Sequence, residues 1–276
     1  MGKRIIVTAG PTNERIDAVM KITNMATGSL GAKVAERLLE NPEVERVFYI
    51  HNQMAKKPNY TAQDGRLTMV EVESTQDLLN TIRVLLRDRP NPIHAVIHSA
   101  AVGDYKGRYA ARAEDIADEI TRAVTAKFTG RERGTYSFEE IRDTVLNVMT
   151  NPNCVQDNRT KISSYEPNLM VMLDLTPKVI STIKTSSPDT MLIGFKLLEN
   201  VSNNELFRVA DRLRKKNQAD YIIANDLARI NGDNHWSMVI GEKGLVTECA
   251  DKTEIAGVIE KLVFGETVEY RCYSDR

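Results

Sequence analysis

Strand-like and helix-like segments alternate from the first residues of this chain, and that alternation most narrows what it can fold into. Arg4-Ile5-Ile6-Val7 is a short apolar run of the kind a strand buried on both faces requires, and Val44 to Ile50, Leu67 to Val72 and Ile93 to Ile97 repeat it. Between them lie amphipathic helices. Leu30, Val34 and Leu38 share one face of a helix that Asn41-Pro42 stops, and Leu78, Leu79, Ile82, Leu85 and Leu86 form the stripe of a second over Thr75 to Asp88. A second alternating block gives strands at Leu169 to Leu173, Met191 to Phe195 and Tyr221 to Ala224, with helices at Pro177 to Lys184 and Asn204 to Asn217. Trp236 to Ile240 then lies in a β-rich tail, and Lys252 to Phe264 reads as a last helix. Strands joined by helices pair in parallel through right-handed crossovers, so the expected fold is α/β, a Rossmann-like doubly wound, mostly parallel sheet.

One stretch breaks the rhythm. From Lys106 to Thr160 the chain turns to charged residues, with two surface helices expected near Glu114 to Lys127 and Phe138 to Met149. We read 106–160 as a charged insertion or lid within a single domain spanning 1–276. The length of 276 residues leaves burial unconstrained for such a domain.

Charge excludes several function classes. Lys and Arg number 37 against 38 Asp and Glu, so no broad basic surface for nucleic acid or an anionic membrane is expected, and any anion must be held locally. Cys154, Cys249 and Cys272 are odd in number and form no Cys-x-x-Cys pair, which argues against a disulfide framework or a structural zinc site and for a reducing cytoplasm. No apolar stretch approaches membrane-span length, and Met1-Gly2-Lys3-Arg4 opens no signal peptide or anchor.

The chemistry concentrates in a few segments. Ile22-Thr23-Asn24-Met25-Ala26-Thr27-Gly28-Ser29-Leu30-Gly31 runs straight into the first helix. Glycines at 28 and 31 let backbone N–H groups approach phosphate oxygens at a positive helix pole, although the same glycines also suit close helix packing. Asn24 is by itself equally a turn cap and an amide donor. Thr8-Ala9-Gly10-Pro11-Thr12 leaves the first strand, and His98-Ser99-Ala100-Ala101-Val102-Gly103-Asp104-Tyr105 leaves a later one, where open α/β sheets bind ligands. His94 and His98 lie four apart on a strand, without an evident third metal ligand.

Taken in order, these motifs, with Lys161-Ile162-Ser163-Ser164, Gly194-Phe195-Lys196-Leu197 and Ala219-Asp220-Tyr221-Ile222-Ile223-Ala224-Asn225-Asp226-Leu227, resemble phosphopantothenoylcysteine synthetase in its stand-alone bacterial form. The resemblance spans almost the whole chain. It implies a cytoplasmic ligase of coenzyme A biosynthesis that activates the carboxylate of 4′-phosphopantothenate as an acyl-nucleotidylate, releases pyrophosphate and passes the acyl group to the amine of L-cysteine. It implies CTP or ATP as co-substrate, bacterial relatives mostly favouring CTP, with Mg²⁺ held by phosphates and water rather than by a protein cage.

By the same resemblance Gly10, Ala26, Gly28 and Gly31 line the triphosphate and ribose, and Phe195 and Asn225 flank the base and sugar. Asn24 contacts the acyl carboxylate. Ala100, Ala101 and Asp104 hold phosphopantothenate, in relatives from a neighbouring subunit, so a homodimer is implied, with a small dimerisation and lid region over 161–184. Lys161 is the phosphate-clamping lysine. Two departures stand out: many relatives read K-x-K-K where Ser163 and Ser164 follow here, and Ala26 replaces a frequent hydroxyl residue. The fused flavin-dependent decarboxylase half is absent, so a separate decarboxylase is expected downstream.

Two other classes compete. A short-chain oxidoreductase binding NAD(P) shares the alternating pattern, yet no tyrosine here is followed by lysine four positions on, which removes its usual proton donor. A non-enzymatic nucleotide-binding module would hold ligands without turnover.

Overall fold

The computed structural model describes residues 2–88, 90–131 and 135–272. Residues 132–134, inside the expected insertion, lie outside the described residues. The first part of the chain forms β1 (Lys3–Ala9), β2 (Asn13–Arg15), β3 (Lys21–Thr23), α1 (Ser29–Glu40), β4 (Val44–His51), β5 (Leu67–Glu71), α2 (Thr75–Leu86) and β6 (Ala95–His98). The middle forms β7 (Tyr105–Arg112), α3 (Ala113–Phe128), α4 (Phe138–Thr150) and β8 (Leu169–Leu175). The last part forms α5 (Val179–Ser186), β9 (Met191–Leu198), α6 (Asn203–Asn217), β10 (Tyr221–Asn231), β11 (Asn234–Gly241), β12 (Gly244–Asp251) and α7 (Lys252–Phe264). These divide into two compact units: the described residues of Met1–Asn13, Asn24–Val102 and Pro177–Arg276, and those of Glu14–Thr23 and Gly103–Thr176.

The larger unit is an eight-stranded sheet in the order β12-β11-β10-β9-β6-β1-β4-β5. β5, β4, β1, β6, β9 and β10 run parallel, and β11 and β12 return antiparallel at one edge. From β1 the chain steps outward to β4 and β5, then crosses back to the other side of β1 at β6. That reversal sends the helices to opposite faces.

On one face α1 and α7 pack together over Ile5, Val7 and Ala9. α1 contributes Val34 and Leu38, and α7 contributes Ile255 and Ile259. On the other, α2, α5 and α6 cover Ile6, Val96 and Leu192 through Leu78, Ile82, Ile183 and Leu206. Consecutive residues of β1 thus feed two cores, which is why its sequence reads as an unbroken apolar run rather than an alternation. α2 starts with a reciprocal cap between Ser74 and Asp77, whereas α1 starts at Gly28, whose left-handed backbone (φ 74°) carries no capping side chain.

The smaller unit has a thinner core. β7 and β8 pair antiparallel from Tyr105↔Leu175 to Arg112↔Leu169. α3 and α4 pack on each other, yet Ile116 and Val148 are their only fully buried residues. Here the structure corrects the reading above in two respects. β8 does not join the main sheet, because β7, a half-exposed and charged segment with no apolar signature, supplies its partner. The chain also leaves this unit at Thr176, so 161–176 belongs with the charged stretch, and α5, within the expected 161–184 region, packs in the main unit.

Candidate active site

In the larger unit the exits of β1 and β6 are tied together at the point where the sheet order reverses. Ser99 Oγ donates to Thr8 O at 2.6 Å, Ala100 N to Thr8 Oγ1 at 3.0 Å, Ala101 N to Gly10 O at 3.0 Å, and Thr12 N to Ala101 O at 3.2 Å. The Thr8 hydroxyl, besides accepting from Ala100, hydrogen-bonds His98 Nδ1 at 3.0 Å, the direction of that bond following the imidazole tautomer. Burial holds that histidine down at about 4, so it stays neutral under ordinary conditions. His94 instead hydrogen-bonds Lys3 and the Val263 carbonyl. The two histidines are therefore structural in different places.

Asn24 joins this crevice. Its Nδ2 donates to Ala101 O at 3.0 Å while the residue itself is exposed, so the amide is oriented at the junction of both strand exits. Ala26 is exposed beside it, and Ala100 and Ala101 are half-buried.

The glycines do different jobs. Gly10 (φ 76°) is so close to Ala55 that a Cβ would stand 2.5 Å from the alanine methyl. Gly28 stacks on it, with a Cβ position 3.0 Å from Gly10 N. Gly31 is tightly packed: a Cβ there would meet Ala9 Cβ at 2.6 Å and Ser99 Oγ at 2.9 Å. It brings α1 close to the strand ends, the role a third glycine plays in dinucleotide folds. Without a side-chain cap at Gly28 or an acid in its first turn, α1 presents its positive pole to the crevice.

Phe195 and Asn225 lie on β9 and β10. The register pairs Phe195 with Ile223 and Leu197 with Asn225, so both point to the α1 and α7 face. Phe195 is half-buried against that core, and Asn225 is 3 % exposed with its Nδ2 unpartnered. Next to it, Asp226 accepts Asn200 N at 2.8 Å and Ala228 N at 3.0 Å, fixing the loop after β9.

The smaller unit carries Asp104 and Lys161, both exposed. Asp104 O accepts Thr176 N at 3.0 Å, fixing the backbone where β7 begins. Lys161 precedes Ile162, whose N–H donates to Asp17 Oδ2 at 2.9 Å. The other Asp17 oxygen accepts Val19 N at 2.7 Å and Met20 N at 2.6 Å. The backbone donors of Met20, Ile162 and Val19, with the charge of Lys161, hold this carboxyl below the usual aspartate range. Asp17 thus anchors the lysine loop. Sequence reasoning passed it over, because its partner is 145 residues away.

This geometry defines a doubly wound α/β domain whose crevice lies at the switch point, floored by glycine turns and a helix N-terminus. The chain belongs to the family of the DNA/pantothenate metabolism flavoprotein C-terminal domain, whose model matches residues 1–122 and 151–265. The unmatched residues 123–150 contain α4.

Among its relatives, the coenzyme A biosynthesis bifunctional protein CoaBC of Thermococcus kodakarensis is 25 % identical over 241 residues, 87 % of this chain and 45 % of that protein. The chain spans about half the length of the curated relatives it matches. The solved DNA/pantothenate metabolism flavoprotein from Streptococcus pneumoniae is 31 % identical, covering 96 % of this chain and 99 % of that one, with a TM-score of 0.74. A Cab2 mutant solved in complex with phosphopantothenate-cysteine shares the fold at 13 % identity and a TM-score of 0.59, over 95 % of this chain and 88 % of that one.

Proposed function

We propose that this chain is a phosphopantothenate–cysteine ligase, acting through an acyl-nucleotidylate in coenzyme A biosynthesis. The observation that carries the reading is the oriented Asn24 amide, held to Ala101 O at 3.0 Å where the β1 and β6 exits meet. Family membership and the compound bound by the Cab2 mutant support the substrate class. Neither step of the reaction needs a nucleophilic side chain. Both build negative charge on acyl or phosphate oxygens, which oriented donors and cations must meet.

In this reading the carboxylate of 4′-phosphopantothenate attacks the α-phosphorus of CTP or ATP and pyrophosphate leaves. The cysteine amine then displaces the nucleotide from the acyl carbon. Asn24 donates to the acyl oxygen as it becomes anionic. Gly10, Ala26, Gly28 and Gly31 admit the triphosphate and ribose, Lys161 neutralises phosphate charge, and Phe195 and Asn225 flank the base. Ala100, Ala101 and Asp104 hold phosphopantothenate.

In this reading Mg²⁺ is carried by the nucleotide's phosphates and by water, as its preference for a few oxygen ligands and retained waters favours. It would supply charge neutralisation there. The active form is a homodimer, consistent with exposed Tyr105, Leu173 and Leu175 on the β7–β8 pair, and a separate decarboxylase consumes its product. Among the described residues no helix is long and apolar enough to cross a membrane.

The test is pyrophosphate release with Mg²⁺, 4′-phosphopantothenate and each nucleoside triphosphate in turn, with and without cysteine. Product formation dependent on cysteine is expected, and the preferred nucleotide is read from the same series. No release with any nucleotide from folded protein would overturn the reading and leave the binding-module alternative.

A further inference from the structure

We propose that the loop after β4 is a third wall of the nucleotide cradle, with Lys56 as a phosphate-binding cation and Asn52 as a buried amide facing the same ligand. The inference rests on the nucleotide-dependent reading above and concerns residues that none of the recognised motifs contains. β4 is the second strand of the doubly wound order. Its carboxyl end is where dinucleotide folds place the side chain that meets the ribose, about 20 residues beyond the glycine turn. Here that place is held by Asn52.

Two independent observations converge. The first is an unsatisfied group. Asn52 is 2 % exposed, and neither Oδ1 nor Nδ2 has a hydrogen-bond partner. Its Oδ1 lies 3.2 Å from the position a Cβ on Gly10 would occupy, directly under the glycine turn. An amide with both ends buried and unpaired is rare in folded proteins and asks for a partner the polypeptide does not provide. The second is a lysine on a pinned backbone. Lys56 N donates to Thr27 O at 2.9 Å, and Lys56 O accepts from the Tyr49 hydroxyl at 2.6 Å. Burial, and then Glu36, raise the Tyr49 phenol, so the hydroxyl remains a donor.

The Lys56 backbone is therefore pinned on both sides, against the residue preceding the Gly28 cap of α1. Its side chain is exposed and free. Ala55, wedged against both Gly10 and Gly28, completes the contact. A lysine so placed adds charge at the uncapped positive pole of α1, where phosphates gain most.

The test measures binding of CTP and ATP with Mg²⁺, and of inorganic tripolyphosphate, to the full chain by calorimetry. Lys56→Met is expected to weaken all three about tenfold, and Lys56→Arg to stay near wild type. Lys57→Met, on the same loop without the anchor, should change binding less than about twofold. Asn52→Leu keeps the side-chain size and removes both polar atoms, so thermal stability should hold while nucleotide affinity falls.

Wild-type affinity in Lys56→Met would overturn the role of the lysine. Unchanged nucleotide affinity in a folded Asn52→Leu would make Asn52 a packing residue. If wild type turns over nucleotide and both variants match it, only this inference falls. If tripolyphosphate binding depends on Lys56 while no nucleotide supports pyrophosphate release, the cradle stands and the ligase reading falls.

Discussion

The two units solve opposite problems. The larger one is buried from both faces of an eight-stranded sheet, with Ile5, Ile6 and Leu38 wholly inaccessible. The smaller one rests on the β7–β8 pair, most of the short β2–β3 pair and two helices with one buried residue each. Two-stranded pairs are marginal on their own in water, so beside its few buried apolar residues, such as Ala111 and Ile162, this unit relies on polar anchors such as Asp17. The glycine cradle, proposed to admit phosphate to within hydrogen-bond distance, gains from rigidity in that role, and it sits on the dense unit. The lysine loop, proposed to clamp and release, sits on the thin one. The difference predicts where substitutions will be felt as lost chemistry, lost stability or lost positioning.

The largest effect belongs to the crevice. Asn24→Ala removes an exposed amide whose donor is aimed by Ala101, so turnover should fall about 100- to 1000-fold while nucleotide binding and melting temperature stay near wild type. Steady-state kinetics beside calorimetry check this, and parallel loss of binding would mean that Asn24 shapes the cradle instead. Next comes packing. Leu38→Ala, at 0 % exposure between α1 and the sheet, should cost about 3 kcal/mol in denaturant unfolding, and Val148→Ala in the smaller unit about 1 kcal/mol. Equal losses would erase the contrast between the units.

Acid should also separate them. All four histidines, His51, His94, His98 and His235, fall in the larger unit. Burial holds His98 at about 4 in the fold, against 6.5 for the free side chain. The folded value is the lower one, so the unfolded chain binds the proton first. The stabilisation is complete above 6.5 and is lost as pH falls toward 4. His98 alone should remove ~2 kcal/mol between pH 7 and 5. His235, also lowered to about 4 mainly by burial, acts in the same direction. Hydrogen exchange corrected for intrinsic rates should show β1 and β6 losing protection over that interval while β7 and β8 do not. A flat profile for β1 would contradict the neutral, buried His98.

Most of the larger unit was legible because two-sided burial forces continuous apolar strands, and one-sided burial forces striped helices. α7 begins and ends where its stripe does, at Lys252 and Phe264. β7 was not legible: Tyr105-Lys106-Gly107-Arg108 has no apolar alternation, and its pairing with β8 is set by a segment far along the chain. The same holds for the site. Gly10, Gly28 and Asn24 stand in local motifs that a linear reading can find. The division of labour among the glycines depended on what a Cβ would strike, and Gly31 proved to answer to Ala9 and Ser99. Asn52 had a weak signal, a polar residue directly after a buried strand, but its lack of partners exists only in three dimensions.

Asp17 offers the smallest and most discriminating change. Its carboxylate accepts three backbone N–H groups, and one of them, from Ile162, fixes the residue after Lys161. Asp17→Asn keeps size and one acceptor oxygen while removing the charge that strengthens those bonds. If the lysine acts only through its charge, the substitution should do little. If it must be presented from a set backbone position, the Michaelis constant for the nucleotide should rise roughly two- to fivefold with little change in kcat at saturation. Exchange of the Ile162 amide should quicken, and β1 and β6 should be untouched. A matching loss of protection in the β1 core would show that the thin unit is not held by its own polar anchors, and the contrast drawn between the two regions would fail at the point where it bears most directly on the proposed phosphate clamp.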